Sequence, residues 1–403
     1  MKLKTAFALL ALVGMTGVAH AQLSGGVLKI GVLNDQSGLY ADVTGQGSVI
    51  AARMAVEDFK AESKGIKVEI VFADHQNKPD VGSALVRQWI DRDGVDVIAD
   101  VPTSSVALAV NEIVKEKNKV FLVSGAASAA LTGNACTPNT VHWTYDNWAL
   151  ANGTAKAIVA AGGDSWYFLT ADYAFGHDLE AQVAAVVKAA NGRVVGAVRH
   201  PLSTPDFSSF LLQAQASKAK VIGLANAGGD TINSIKQAGE FGISKGGQKL
   251  AGLLIFITDV HALGLPTAQG LQFTESFYWD RNDASRDFAK RLAPQVKGNH
   301  PTMIHAGVYA SVLHLLKAVE ATKTDDGAKV VAKMKEMPTD DPLFGKGVIR
   351  EDGRKIHDMF LFEAKAPAES KGPWDYYKLV RTIPAAEAFR PLNEGGCSLV
   401  KKG

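Results

Sequence analysis

The chain has 403 residues, 47% hydrophobic and 21% charged, with a formal net charge of +2 at pH 7. That length suggests two or more domains, and that hydrophobic share fills ordinary cores, which excludes a disordered chain. The near balance of charge, with no long run of one sign, excludes the concentrated basic face that nucleic-acid binding needs.

In chain order, residues 1–21 stand apart. Lys2 and Lys4 give a positive start, residues 6–13 an apolar stretch too short to span a bilayer, and Ala19-His20-Ala21 the small-x-small pattern read by signal peptidase. We expect a cleaved signal peptide over 1–21 and a mature chain starting near Gln22. No Cys stands at the cleavage point, so no lipid anchor is expected, which points to the periplasm of a two-membrane bacterium. No later stretch approaches the roughly 20 apolar residues of a membrane span, so direct membrane insertion is not expected.

From residue 27 onward, short apolar runs alternate with longer amphipathic segments. Strands are predicted at 27–33, 67–73, 95–101 and 119–124, with helices at 46–61, 80–92 and 105–117 between them. The rhythm restarts with strands at 165–170, 193–199, 220–225 and 253–258. Val- and Ile-rich runs of this kind suit parallel strands buried on both faces, and repeated βα units imply a parallel sheet covered by helices. The two series are related by a shift of 126 residues. Pro79, Asp80, Ser83, Leu85, Val95 and Ala99 then fall on Pro205, Asp206, Ser209, Leu211, Val221 and Ala225. We read this as two lobes on one βα plan. The aromatic segments 141–147 and 273–280 suit hinge crossings between lobes rather than a loose tether.

Enzyme signatures are missing: no HExxH, no phosphate loop, no GxGxxG after the first strand and no GxSxG. No catalytic residue, metal or cofactor is expected. What remains is a set of Ser-, Gly- and Ala-rich loops at strand C-termini, where open α/β sheets bind ligands. Ser104 or Ser105 is expected to cap the helix that follows, and a helix N-terminus with hydroxyls receives a carboxylate; an ordinary cap is the plainer reading. Gly125, Ala126 and Ala127 let backbone approach a ligand, with Ser128 adding a hydroxyl, unless the loop is simply a tight turn. Tyr173 and Phe175 end a second-series strand, where aromatics sandwich a ligand or pack beneath the loop. Tyr40 faces the same crevice. Asn226 and Asp259 end later strands, and Asp259 either pairs with a ligand ammonium or caps a turn. Tyr278 lies in the second crossing, lining the cleft or packing the hinge. Cys136 and Cys397, the chain's two cysteines, fit one disulfide in an oxidising compartment, the alternative being two free thiols.

With these loops placed, the chain resembles the branched-chain amino acid-binding family of periplasmic proteins, the type I receptors of ABC transporters. The likeness rests on KIGVLNDQSGLYADVTGQG, VPTSS, SGAAS, DYAFGHD and DGRKIHDMFLFEAK. It implies an α/β fold of two Rossmann-like lobes joined by a three-segment hinge. The first lobe would take 26–144 plus 278–355, the second 145–277 plus 356–385, and the tail 386–403 would return to the first. The family's carboxylate site matches Ser104 and the backbone of Gly125 to Ala127, with Ala127 where amino-acid binders often carry Thr. Its pocket aromatic matches Phe175, and its ammonium-binding acid falls near Asp259. The expected function is a monomeric periplasmic receptor that captures a hydrophobic amino acid or an aromatic carboxylate and docks on a membrane permease pair. The alternatives are a ligand sensor of the same fold or an α/β enzyme.

Overall fold

The structure is a computed structural model and describes residues 23–401. The expected signal peptide therefore lies outside the described residues.

The first βα series folds as its pattern predicts. Strands β1 (Leu28–Asn34), β2 (Val68–Asp74), β3 (Val97–Asp100), β4 (Val120–Val123) and β5 (Thr140–His142) form one parallel sheet in the order β2-β1-β3-β4-β5. Helices α1 (Gly45–Phe59), α2 (Pro79–Asp91) and α3 (Ser104–Glu116) alternate with its first strands. β3 and β4 are buried along their whole length, which is why they read as unbroken apolar runs rather than alternating ones. Pro79 stands at the first position of α2, where its missing N–H costs no hydrogen bond.

After His142 the chain crosses to a second body. It runs through α4 (Asn147–Leu150), a π-helical segment Ala151–Ala155, and α5 (Lys156–Ala160). Strands β6 (Ser165–Ala171), β7 (Arg193–His200), β8 (Val221–Ala225) and β9 (Lys249–Gly252) then form a parallel sheet in the order β7-β6-β8-β9. Helices α6 (Ala174–Ala189), α7 (Ser208–Ala216) and α8 (Gly229–Glu240) connect them. In both sheets the second strand of the series lies outside the first and the third lies inside, so the lobes share one winding plan.

One predicted strand is corrected. Residues 253–258 form no strand: 253–256 make a buried bend, and the chain enters α9 (Ile257–Leu263) at once. A short unbroken apolar run does not distinguish strand from buried helix. The deciding contact is Asp259, whose carboxylate accepts a hydrogen bond from the Phe256 N–H at 3.0 Å and closes the first helical turn.

Beyond α10 (Leu265–Ala268) and β10 (Gln272–Glu275), the chain returns to the first sheet. There it lays down α11 (Asp283–Leu292), the largely buried α12 (Met303–Thr322) and α13 (Gly327–Glu336). A small antiparallel sheet of β11 (Thr339–Asp341), β12 (Gly345–Ile349) and β13 (Lys355–Ile356) follows. β14 (Met359–Ala364) and β15 (Tyr377–Ile383) then pair antiparallel beside β10.

The crossings are fastened to each other. Arg354 is fully buried, donates to the Tyr145 carbonyl at 3.0 Å, lies 3.5 Å from the Asp146 carboxylate and covers the Phe389 ring. His357 Nε2 lies 3.1 Å from the Trp143 carbonyl. Cys136 and Cys397 form a disulfide with a Cα–Cα distance of 5.6 Å, so the tail lies against the first lobe. There Arg390 donates to the Ala129 carbonyl at 3.0 Å.

Candidate functional site: the cleft between the lobes

The strand C-termini of the two sheets face each other across a cleft, and each loop has a local reason for its shape. After β1, the buried Asp35 carboxylate accepts from the backbone N–H of Gly38 (2.6 Å) and Tyr40 (2.9 Å) and from Asn77 Nδ2 (2.7 Å), which fixes the turn that presents Tyr40. After β3, Asp100 and Val101 hold φ of +78° and +51°. A β-branched residue rarely adopts that region, and such strain gathers at functional loops. The bend brings Pro102 against Gly125, where a Cβ would meet Pro102 Cα at 2.7 Å, so only glycine fits.

The resulting cavity is narrow and is lined from both lobes. Tyr40, Pro102, Gly125 and Ile304 line it from the first lobe, and Tyr173, Phe175, Ala227, Leu254 and Phe256 from the second. Tyr145 comes from the first crossing and donates to the Gly125 carbonyl at 2.6 Å. The lining includes three tyrosine hydroxyls and no charged side chain. Tyr40 and Tyr173 meet hydroxyl to hydroxyl at 2.6 Å across the cleft. Burial first, and their mutual contact second, push the Tyr40 hydroxyl well above its ordinary pKa, so it stays protonated and able to donate.

The expected serines lie just behind this lining. Ser104 is the first residue of α3 and Ser105 the second. The cap is Thr103, one residue earlier than expected, and its hydroxyl turns to Asn77 instead of the helix. The first-turn N–H groups of α3 are thus left without a side-chain cap. Ser104 is buried, and its hydroxyl accepts from the Ala127 N–H at 3.3 Å, joining the two expected binding loops. Ser128 starts a short 3-10 turn by accepting from the Ala130 N–H at 3.4 Å. The Ala126 carbonyl lies 2.7 Å from His142 Nε2, and the Ala127 carbonyl accepts from the Asn147 N–H at 2.7 Å.

Of the expected residues only Tyr40, Gly125, Tyr173 and Phe175 line the cavity; Ala126 and Ala127 lie behind it with the serines, and three more stand apart from it. Asn226 follows β8 directly but is fully buried, bonded to His200, Thr231 and Ser234; its neighbour Ala227 faces the cavity instead. Asp259 caps the Phe256 N–H, and burial raises its pKa to about 7. Tyr278 stacks on Tyr377 at 4.7 Å and donates to the Trp374 carbonyl, which makes it hinge packing. Lining residues that sequence reasoning missed are Val43, Pro102, Tyr145, Ala227, Leu254, Phe256 and Ile304. Tyr145 stood in a segment marked as a crossing, which was a usable signal; Ile304, inside a helix remote in sequence, gave none.

Among the described residues, no group of three His, Cys, Asp or Glu side chains is placed to hold a metal, and no helix is long and apolar enough to cross a membrane.

Residues 27–373 match the periplasmic binding protein family. The fold matches a crystallised periplasmic binding protein of Burkholderia mallei with a TM-score of 0.91 and 53% identity, covering 94% of this chain and 100% of that one. It also matches a branched-chain amino acid ABC transporter periplasmic ligand-binding protein of Burkholderia xenovorans LB400, at TM-score 0.81 and 40% identity, covering 92% and 99%. A solute-binding protein of an ABC transporter from Rhodopseudomonas palustris HaA2, solved with p-hydroxybenzoic acid, is similar at TM-score 0.80 and 25% identity, covering 89% and 97%.

Proposed function

The chain belongs to the periplasmic binding protein family of ABC transporters, with the two-lobed type I fold, and from that premise we propose that it captures a small aromatic carboxylate for an importer. The observation that carries this reading is the lining itself: aromatic and aliphatic walls from both lobes, tyrosine hydroxyls, and no acid facing inward. A ligand ammonium would be left without a counter-charge there, and a buried unpaired charge is strongly disfavoured. In this reading the carboxylate is received by the uncapped N–H groups opening α3, which follow the cavity-lining Pro102 in the chain, since a helix N-terminus favours an anion.

In this mechanism the first lobe holds the carboxylate through the start of α3, with Ser104 and Ser128 keeping the loop in place. Tyr173 and Phe175 then close over the ring. The ligand favours the closed form only through contacts it gains there. The loaded form is presented to a membrane permease pair. The p-hydroxybenzoic acid complex of the Rhodopseudomonas relative supports the ligand class.

A second reading, a hydrophobic amino acid, is favoured by the 40% identical branched-chain amino acid relative and by Asp230. That side chain is buried at the start of α8, near Tyr40 and Tyr173, and burial raises its pKa to about 6. Its oxygens already accept from the Ser203 and Thr204 N–H groups at 3.1 and 3.0 Å, which ranks this reading second.

A thermal-shift panel on ligand-stripped protein separates the two. A ligand at 1,000 times its dissociation constant stabilises by about 4 kcal/mol. Benzoate and p-hydroxybenzoate are expected to raise the midpoint, with leucine and phenylalanine silent; the reverse pattern would reassign the site to amino acids.

A further inference from the structure

At the rim of the cleft the lobes touch through residues that do not line the cavity. The turn after β1 presents Leu39, and the turn after β8 presents Gly228 and Gly229. Gly229 N–H donates to the Leu39 carbonyl at 3.3 Å. Gly228 holds φ +57°, and a Cβ there would stand 2.6 Å from the same carbonyl. Gly229 has no such backbone constraint. A Cβ on it would meet Leu39 Cβ at 3.3 Å and Leu39 Cα and O at 3.9 Å, and these three nearest atoms all belong to the opposite lobe. A side chain at 229 is therefore opposed mainly by closure and not by the packing of its own lobe. The Tyr40–Tyr173 hydroxyl contact lies beside this seam and spans the same two lobes.

We infer that the Leu39/Gly229 seam is a latch, with Gly229 the positioning residue that lets the lobes meet and sets how long a ligand stays. This rests on the binding-protein reading above. The physical argument is that the seam's contacts exist only when the lobes are shut. Whatever they contribute belongs to the closed state alone and multiplies the closed-to-open ratio. One net hydrogen bond is worth about 2- to 12-fold in such a ratio. Dissociation has to break the seam before the ligand leaves, so the effect falls on the off-rate.

Two variants test it. Gly229→Leu is expected to keep the wild-type circular dichroism and unliganded melting midpoint, while p-hydroxybenzoate dissociates at least about 10-fold faster, as expected when closed-state contacts are lost. Wild-type dissociation from a folded Gly229→Leu protein would overturn the latch. The second variant, Leu39→Cys with Gly229→Cys, needs no ligand. The 3.3 Å Cβ separation lies just under the roughly 3.5–4.5 Å of a disulfide, so mild oxidation is expected to bridge the pair. A folded double variant that stays unbridged would sink the proposal. A bridge that forms readily while p-hydroxybenzoate neither binds the wild type nor speeds bridging would support the latch and reject the ligand class, so the two readings fail separately.

Discussion

Asp259 shows how a residue type is legible while its task is not. The sequence placed an acid beside the cleft with two readings, ammonium partner or cap, and the Phe256 N–H decides for the cap. The decision depends on where the chain bends, which an apolar run does not reveal. Tyr40, Gly125, Tyr173 and Phe175 were more readable because each follows a strand end, and strand ends in parallel sheets face one side. Asp259 also carries a pH dependence. Its folded pKa is raised to about 7 by burial, against an unfolded value near 3.9. Between those values the folded state holds a proton that the unfolded chain releases, so this group's contribution falls as pH rises from about 4 to about 7. Asp259→Asn should remove that loss. Melting midpoints at pH 5 and pH 8 are expected to show the variant gaining on wild type at the higher pH, with ligand affinity unchanged. A constant gap would contradict the assigned titration, and lost affinity would restore Asp259 to the site.

Among elements, the crossings carry most of the surprise. The strand–helix rhythm of both lobes was readable because burial on both faces writes continuous apolar runs. The crossings had an aromatic signature, yet the residue that ties them, Arg354, was hidden in the stretch DGRKIHDMFLFEAK. Its role depends on Asp146 and the Tyr145 carbonyl, which approach only in three dimensions. A fully buried guanidinium invites a direct test. Arg354→Leu leaves the nearly buried Asp146 carboxylate without its counter-charge, and breaking a buried pair in this way costs about 3–5 kcal/mol. Urea unfolding of the variant should show a loss of that order. A loss within the scatter of surface mutations would mean that the crossings are held by packing alone. Tyr145 hangs from the same segment and bonds the Gly125 carbonyl, so the variant is also expected to weaken ligand binding.

At the scale of the whole molecule, the lobe plan was visible as a shift of 126 residues, because both sheets repeat the same local units. The cavity was not, since it joins Tyr40 to Tyr173, 133 residues later, and both to Ile304. The disulfide closes a long covalent circuit, tying residue 136 to residue 397 across 261 positions. Removing it with Cys136→Ser and Cys397→Ser together should cost about 2–5 kcal/mol in thermal unfolding. An unchanged midpoint would mean that the tail is held by Arg390 and its neighbours without the bond. The central claim, however, concerns what the closed cleft accepts: a small aromatic carboxylate without an ammonium. Isothermal titration of ligand-stripped protein with p-hydroxybenzoate, and separately with leucine, measures it most directly. The account predicts saturable one-site binding of p-hydroxybenzoate and no heat from leucine. Tight leucine binding with a silent p-hydroxybenzoate would contradict it and make the protein an amino-acid receptor.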